Sequence, residues 1–374
     1  MMTTTFPGIE RISSGLGFGA MRLPTQADGK IDQAEAIRMI RRAIDGGVRY
    51  VDTAYPYHGG ESELVVGKAL QDGYRDRVLL ATKLPVWKVE KEEDMMALLD
   101  EQLQKLQVDH VDFYLLHAMD RERLAQMRKL NYRKFLDEAV AQGKIRYPAF
   151  SFHDNADTFL KILNDYDWKM CQVQMNILDG DTQATLNGIR EAGRKGVGVV
   201  VMEPLRGGLL ANPPEEVKAL YDAFPVKRSP VEWAFRYLYT MPEVITILSG
   251  MSTMEQVEDN LRIFSVDKGE TLAAEEAALL SEVKETYLRR TKTRCTGCSY
   301  CQPCPRGVKI PAIFQGHDNA LLRGQEKNQK NYDALKESKA DASLCVGCRK
   351  CEAQCPQHLP IVRYLQEIRA VYEA

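Results

Sequence analysis

Long apolar runs are missing from this chain of 374 residues. The longest ones, such as GVGVVVM and VITIL, fall well short of the roughly 20 residues that cross a bilayer. The first residues, MMTTTFPGIERISS, lack a charged start followed by an apolar core, so they do not resemble a secretory signal. These absences predict a cytoplasmic protein that does not enter a membrane.

The chain also lacks an excess of charge of either sign. Lys and Arg number 50 and Asp and Glu number 52. A basic surface for nucleic acid or for an anionic membrane is therefore not expected. The predicted binding partner is a small molecule and not a polyanion.

Cysteine is absent from most of the chain. Before residue 295 only Cys171 occurs, at the start of an apolar run, and we expect it in the core. The other eight cysteines lie in two motifs, CTGCSYCQPCP (295–305) and CVGCRKCEAQCP (345–356). Disulfides do not persist in a reducing cytosol, so clustered cysteines there favour metal ligation.

The spacing of these cysteines favours iron–sulfur clusters. The second motif is C-x2-C-x2-C-x3-C-P, typical of two-cluster ferredoxins, in which the fourth cysteine ligates the other cluster. The first motif is one residue shorter before its last cysteine. Zinc is the alternative, because C-x2-C pairs also bind zinc. We predict one 4Fe–4S cluster on Cys295, Cys298, Cys301 and Cys355, and another on Cys345, Cys348, Cys351 and Cys304.

Between residue 15 and about residue 264, short apolar runs alternate with segments of helical period. Such alternation indicates β/α units around a parallel sheet, and eight strands each followed by a helix close into a (β/α)8 TIM barrel. The eight predicted strands lie at 15–21, 50–54, 78–84, 111–117, 146–152, 170–176, 198–204 and 244–250.

The character of the sequence changes after residue 265. We predict an α/β barrel over 1–265, a helical connector over 266–290 and a small α-helical, ferredoxin-like iron–sulfur domain over 291–374. The basic run LRRTKTR before Cys295 is typical of a solvated helix end. Docking of an acidic electron carrier is its alternative interpretation.

Polar side chains stand at the ends of three predicted strands, where a barrel of this kind carries its reacting groups. They are Asp52, Tyr57, Lys83 and His117. An ammonium favours the phenolate of a neighbouring tyrosine, a carboxylate holds that ammonium, and a histidine can hydrogen-bond a substrate carbonyl oxygen. This set suits carbonyl reduction or its reverse; the alternative is a structural ion pair beside packing rings.

These four residues, the first two in D-T-A-x-x-Y, resemble the catalytic tetrad of the aldo/keto reductase superfamily. The sequence VMEPLRGG (201–208), followed by the cysteine motifs, is similar to the subgroup with a carboxyl-terminal iron–sulfur domain. The resemblance implies hydride transfer between NAD or NADP and a small carbonyl or alcohol substrate.

The resemblance also implies cofactor contacts. Ser151 and Gln172 would hold the carboxamide, Met202 would cover the ring where many members have tyrosine, and the following loop would meet the pyrophosphate. Near the eighth strand, NADP-selective relatives have cations where this chain has Gly250 and Gln256, which makes NAD possible. The remaining predicted contacts are Pro204, Leu205, Arg206, Gly208, Asp259 and Asn260.

The leading hypothesis is an iron–sulfur aldo/keto reductase. Clusters carry single electrons whereas nicotinamide accepts a hydride, and no flavin motif is visible; the clusters are therefore structural, redox-sensing, or serve a redox partner protein. The second hypothesis is an electron-transfer or assembly subunit whose barrel has little turnover, and the third is a zinc-stabilised interaction module. Tyr55, Trp87 and Met119 are expected at the barrel mouth.

Overall fold

The computed structural model describes residues 1–267, 271–297, 299–355 and 357–374. The chain forms two compact units. None of the helices within these ranges is long and apolar enough to span a membrane. The first unit comprises 1–176, 184–204 and 234–272, and the second comprises 177–183, 205–233 and 273–374.

The first unit is built on a closed barrel of eight parallel strands, which confirms the predicted TIM barrel. An antiparallel hairpin of β1 (Thr3–Thr5) and β2 (Ile12–Ser14) precedes it. Each barrel strand pairs with its neighbours in the chain, and the last pairs with the first. In chain order the strands are β3 (Leu16–Gly19), β4 (Tyr50–Asp52), β5 (Leu79–Leu84), β6 (Val111–Met119), β7 (Ile145–Phe152), β8 (Met170–Gln174), β9 (Gly198–Met202) and β10 (Val244–Ser249).

Aromatic rings fill part of the barrel core. Phe6, from the hairpin, packs 4.7 Å from the ring of Phe113 and 6.0 Å from that of Tyr50, measured between ring centroids. All three side chains are buried, as is Cys171 in β8, in agreement with its predicted place in the core. Burial raises the pKa of the Cys171 thiol to about 12, so it stays protonated and unreactive.

Helices follow the strands as the sequence pattern predicts. Side chains of Asp32, Asn155 and Thr253 cap three of them by accepting a hydrogen bond from the third following N–H. Two more, α4 and α8, were not among the predicted segments. The helices up to residue 263 are α1 (Gln33–Asp45), α2 (Ser62–Ala69), α3 (Glu92–Leu106), α4 (Arg121–Lys129), α5 (Tyr132–Ala141), α6 (Ala156–Leu163), α7 (Thr185–Arg194), α8 (Glu215–Ala223), α9 (Pro230–Tyr239) and α10 (Met254–Ile263).

The second unit has helices around a small core of its own. Buried apolar residues of its last helices form this core, among them Phe314, Ile361 and Leu365, and six described cysteines of the two motifs pack against it. The predicted α-helical character of this region is confirmed. Its carboxyl-terminal helices are α11 (Ala274–Arg289), α12 (Ile310–Leu322), α13 (Gln329–Glu337), α14 (Lys350–Gln354) and α15 (Ile361–Glu373).

Candidate active site and cysteine motifs

A buried ion pair lies at the carboxyl ends of β4 and β5. The Lys83 ammonium donates to Asp52 Oδ2 at 2.6 Å and to the carbonyl oxygen of Thr53 at 2.8 Å. Its side chain is 1% exposed. A buried ammonium is stable only when paired and hydrogen-bonded, so Asp52 and Thr53 fix both its charge and its position.

Tyr57 completes this group from a turn and not from a strand. Its hydroxyl oxygen lies 3.4 Å from Lys83 Nζ and accepts a hydrogen bond from it. The turn, Tyr57–Gly60, contains His58 and Gly59 with φ of 51° and 67°. The backbone N–H of Leu23 donates to His58 Nε2 at 3.1 Å. The position of the phenol therefore depends on a left-handed turn that is tied to the neighbouring loop.

His117, on β6, lies beside the phenol. Its ring centroid is 6.2 Å from that of Tyr57, edge to face, and 5.1 Å from that of Trp87. Burial, helped by the charge of Lys83, lowers the pKa of His117 to about 2. Its Nδ1 is buried and has no hydrogen-bond partner among the residues described. The imidazole is therefore neutral and has unused hydrogen-bonding capacity.

Burial dominates the electrostatics of the tetrad. Burial raises the pKa of Asp52, and Lys83 opposes it. Burial lowers the pKa of Lys83, but Asp52 and Tyr57 together outweigh burial, and the net pKa rises. Burial raises the pKa of Tyr57 more than Lys83 lowers it. The sequence argument had only the second effect in view, so the expected net lowering is replaced by a net rise.

A buried polar network supports the backbone of Lys83. Gln102 Nε2 donates to the carbonyl oxygen of Lys83 at 3.0 Å and to Glu63 Oε1 at 2.6 Å. Thr82 Oγ1 also donates to Glu63 Oε1, at 2.6 Å, and Tyr114 donates to Gln102 Oε1 at 2.7 Å. Sequence reasoning missed this network. The signal was a carboxylate, Glu63, among the apolar residues of SELVVGKAL (62–70).

Of the predicted carboxamide contacts, Ser151 on β7 and Gln172 on β8 are register partners. The Ser151 hydroxyl accepts from the N–H of Ala118 at 2.7 Å. Gln172 Nε2 donates weakly to Met202 Sδ at 3.6 Å, and within the described chain its buried Oε1 has no partner. That free acceptor fits an amide N–H of a bound ligand.

Polar residues of the segment after β10 form hydrogen bonds and an ion pair with nearby residues of the same chain. Gln256 Oε1 accepts from the N–H of Ser252 at 2.8 Å, and Asn260 Nδ2 donates to Ser249 Oγ at 2.9 Å. Arg262 forms an ion pair with Asp259 at 2.9 Å. Three of the four predicted contacts here thus have structural partners already.

Arg22, which sequence reasoning missed, lies beside the fourth of these positions, Gly250. A β-carbon on Gly250 would stand 3.1 Å from Arg22 Cδ. The Arg22 side chain is 50% exposed and pairs only loosely with Glu203, at 3.9 Å. A cation therefore does stand near Gly250, but it comes from the loop after β3, which no local pattern around Gly250 could reveal.

The predicted pyrophosphate loop crosses the boundary between the units. Pro204 ends a segment of the first unit, and Leu205, Arg206 and Gly208 belong to the second. Arg206 and Gly208 have φ of 48° and 87°. Arg206 Nε lies 3.3 Å from Asp179 Oδ2, whereas its buried Nη1 has no partner in the described part of the chain. The Nη1–H group of Arg206 is therefore placed to donate a hydrogen bond to an anion.

The expected mouth residues differ in exposure. Trp87 is 44% exposed, so one face of its ring is open to a substrate beside His117. Met119 is completely buried. The ammonium groups of Lys88 and Lys105 lie over the Tyr55 ring, 4.7 Å and 4.0 Å from its centroid. Trp87 is the strongest candidate for a substrate contact.

The two cysteine motifs approach each other in the second unit. Cys295, Cys301 and Cys355 line one small cavity with apolar walls that include Ile310 and Phe314. Burial raises the pKa of Cys351, and the nearby charges of Glu352 and Cys345 add to this rise. Cys298 and Pro356 lie outside the described residues. Among those described, no three His, Cys, Asp or Glu side chains form a ready metal site.

A buried carboxylate fixes the chain just before the first motif. Asp318 accepts hydrogen bonds from the backbone N–H groups of Lys292, Thr293 and Arg294, at 2.8 Å, 3.0 Å and 2.9 Å. The hydroxyl of Thr293 donates to it at 2.6 Å. Helix α12, which contains Asp318, thus fixes the backbone immediately before Cys295.

Comparison with known proteins identifies both parts of the chain. The model of the aldo/keto reductase family matches residues 15–284. The chain belongs to this family. A model of a 4Fe–4S dicluster domain matches residues 294–360. The resemblance to iron–sulfur aldo/keto reductases is therefore confirmed, and the protein is an oxidoreductase by family.

Its curated relatives are distant in sequence. L-galactose dehydrogenase of Arabidopsis thaliana is 28% identical over 72% of this chain and 89% of its own length. Probable aldo-keto reductase 1 of Glycine max is 26% identical over 52% of this chain, but the match spans 57% of that relative. Aldo-keto reductase YhdN of Bacillus subtilis is 36% identical over only 30% of this chain and 36% of its own length.

Solved structures agree on the barrel. Aldo-keto reductase AKR11C1 from Bacillus halodurans in its holo form has a TM-score of 0.64 at 26% identity, over 76% of this chain and 96% of that one. An aldo/keto reductase from Klebsiella pneumoniae, solved with NADP and acetate, has a TM-score of 0.61 at 23% identity, over 76% and 96%. The second likeness supports the fold alone.

Proposed function

We propose that this aldo/keto reductase interconverts a carbonyl compound and an alcohol with NAD or NADP, using Tyr57 as general acid and base. The observation that carries the proposal is the buried Lys83 ammonium, which bonds Asp52 at 2.6 Å and Tyr57 at 3.4 Å. The ring of His117 lies beside that phenol. A packing role alone does not call for a buried charge so close to a phenol.

The residues divide the work according to their protonation states. Because its pKa is raised, Tyr57 is protonated at neutral pH and can donate a proton to a substrate oxygen. Lys83 stabilises the phenolate that remains, and Asp52 holds Lys83 in place. Neutral His117 can donate a hydrogen bond to the same oxygen. In the oxidative direction the phenolate takes the proton back.

The nicotinamide, when bound, supplies the hydride. We propose that Gln172 Oε1, which has no protein partner among the described residues, accepts from the carboxamide, with Ser151 beside it. The Met202 thioether would cover the ring. Arg206, with its free Nη1, and Gly208 would meet the pyrophosphate, and Gly250, Gln256, Asp259 and Asn260 would lie toward the adenosine.

The dicluster domain is proposed to hold two 4Fe–4S clusters with crossed ligation. Support comes from the cavity shared by Cys295, Cys301 and Cys355, because a cysteine of the second motif stands there with two of the first. Thiolate ligands in an apolar setting suit such clusters. When bound, the clusters supply one-electron chemistry.

An electron-transfer or assembly subunit remains the second candidate. Met202 replaces the stacking tyrosine of many relatives, and Gln256, Asp259 and Asn260 are engaged within their own segment. Both observations favour weak cofactor binding. In that case the clusters would cycle between redox states while the barrel turned over little.

The decisive experiment compares Tyr57→Phe with Tyr55→Phe in a nicotinamide-linked screen of aldehydes and ketones. Loss of the general acid should lower kcat by about 100-fold or more. Tyr55→Phe, two residues away, should retain activity, since its hydroxyl makes only long contacts, with Lys88 at 3.3 Å and with Glu101 at 3.4 Å. Wild-type turnover in Tyr57→Phe would refute the assignment. No turnover in the wild type, with clusters that reduce reversibly, would favour the second candidate.

A further inference from the structure

Five exposed basic residues lie in two segments, 304–309 and 339–350, the second of which contains the start of the second cysteine motif. Exposed Val346, at 64%, and exposed Cys348 mark the loop that carries this motif. The segments 304–309 and 339–350 contain no exposed acidic residue, since Asp341 is buried. We call the five residues the basic rim: Arg306, Lys309, Lys339, Arg349 and Lys350.

The backbone brings the two halves of the basic rim together. The N–H of Lys309 donates to the carbonyl oxygen of Ala340 at 2.9 Å. A β-carbon on Gly307 would lie 3.8 Å from the carbonyl oxygen of Lys339. Residues far apart in sequence therefore lie next to each other in this unit, just before the loop that contains Cys345.

Most of this charge is not neutralised. Within the described chain, Arg349 is the rim residue with an ion pair, 3.8 Å from Glu352. Apart from buried Asp341, the nearest acidic residues in sequence are Glu337 and Glu352, which flank the rim segments. The other four cations have no ion pair among the described residues, and they give these segments a net positive charge that attracts anions.

The basic run before the first motif is different. Arg290 pairs with Glu216 at 3.2 Å, Lys292 with Glu367 at 2.7 Å and Arg294 with Glu285 at 3.8 Å. The sequence offered this run as a docking site for an acidic carrier or as a solvated helix end. Three of its four cations are matched by carboxylates, which favours the helix end.

We propose that the basic rim docks an acidic protein that carries one electron, such as a ferredoxin or flavodoxin of strongly negative charge. The inference rests on the proposed clusters, because a one-electron carrier has a reason to bind only where a cluster lies close to the surface. The exposed apolar Val346 lies in the same loop as Arg349 and Lys350, and exposed apolar residues beside polar ones are typical of protein interfaces. Charge complementarity would speed and orient the encounter.

Isothermal titration calorimetry of the iron-loaded full chain with an acidic ferredoxin tests this surface. Lys309→Glu combined with Lys350→Glu should weaken binding at least tenfold at low ionic strength. The control is Arg323→Glu with Lys330→Glu, two exposed cations of the same unit outside the rim, which should bind as the wild type does. Raising the salt to 0.3 M should erase most of the difference. Basic cytochrome c, a carrier of opposite charge, should not bind.

Iron and sulfide contents and the visible spectrum are measured first for every variant. Unchanged ferredoxin affinity in the iron-loaded rim variant, equal weakening in the control, or equal binding of cytochrome c would overturn the docking surface and leave the proposed function intact. A wild type that contains zinc and no sulfide would overturn the proposed clusters and the docking surface together, and would leave the proposed carbonyl chemistry of the barrel intact.

Discussion

The barrel mouth and the cysteine unit prepare their chemistry in opposite ways. In the barrel, Asp52, Lys83 and Tyr57 contact one another directly, and Lys83 is almost completely buried. In the cysteine unit the thiols range from half-buried to exposed, and none of the described ones belongs to a ready metal site. The chain thus holds the first group in contact by itself, whereas the second group, under the proposed ligation, depends on its clusters.

The difference has an energetic origin. A buried ammonium must be paired when the chain folds, so the barrel residues are positioned whether or not a ligand is present. Thiolates are neutralised by a cluster, and its binding energy becomes folding energy of the unit that supplies the ligands. We therefore expect the barrel to respond to charge and pH, and the cysteine unit to respond to iron.

The largest effect should come from Cys355→Ser, compared with Cys171→Ser. Cys355 lines the cavity with Cys295 and Cys301, so its loss should remove the cluster held by the first motif, about half of roughly eight irons under crossed ligation. Cys171 is a buried residue of the barrel, and its variant should keep all the iron. Iron and sulfide assays with electron paramagnetic resonance measure both. Loss confined to the cluster of the second motif would show uncrossed ligation.

Lys83→Met should give the next largest effect, because it leaves the Asp52 carboxylate buried without its partner. Unfolding free energy should fall by about 3–5 kcal/mol, measured by urea denaturation followed by circular dichroism. Lys68→Met, at an exposed position on α2, is the control and should change stability little. Adding Asp52→Asn to Lys83→Met should restore part of the loss. A double variant no more stable than the single one would contradict a charge-based origin.

The pH dependence of stability should carry the signature of His117. Its pKa is lowered to about 2 in the folded chain, against about 6.5 when unfolded. Its contribution is therefore complete above pH 6.5 and is lost as the pH falls, by about 1.4 kcal/mol between pH 7.5 and 5.5. His117→Gln should lose less stability over this range than the wild type, whereas exposed His358→Gln should follow the wild type. Equal slopes for all three would refute the assignment.

Cofactor preference should be the smallest effect. We expect NADH to bind at least as tightly as NADPH, because Gly250 and Gln256 offer no cation. Fluorescence titration of both measures it. A tenfold advantage of NADPH, about 1.4 kcal/mol, would contradict the expectation and point to Arg22 beside Gly250. Arg22→Ala should then remove the advantage of NADPH. Arg11→Ala, which changes an arginine that precedes β3 in the sequence, should leave that advantage unchanged.

The fold was predictable because apolar runs of strand length are a local signal. All eight predicted strands are present, and the helices between them, apart from α4 and α8, lie in the predicted helical segments. Helix α4 was missed because RERLAQMRK (121–129) is strongly polar, and α8 because it lies within a long connection between predicted elements. The formation of these two helices depends on tertiary packing, which a short stretch of sequence does not reveal.

The candidate site was predictable only as a set of positions. Asp52, Lys83 and His117 stand at strand ends, and Tyr57 follows at a fixed spacing, so their proximity could be expected. The sign of the pKa shift of Tyr57 could not, because it depends on burial. Arg22 and Gln102 were missed for a similar reason, since they meet the site through space, and Glu63 gave only the signal of a carboxylate in an apolar segment.

The interleaving of the two units has a consequence for synthesis on the ribosome. Segments 177–183 and 205–233 are made before residues 273–374, with which they form one unit. Lys284 pairs with Asp181 at 2.7 Å, and Tyr287 donates to the carbonyl oxygen of Leu209 at 3.4 Å. Both early segments must therefore wait for α11 to emerge. A polypeptide that stops after the last barrel helix would leave them without these partners, exposed to proteases and chaperones.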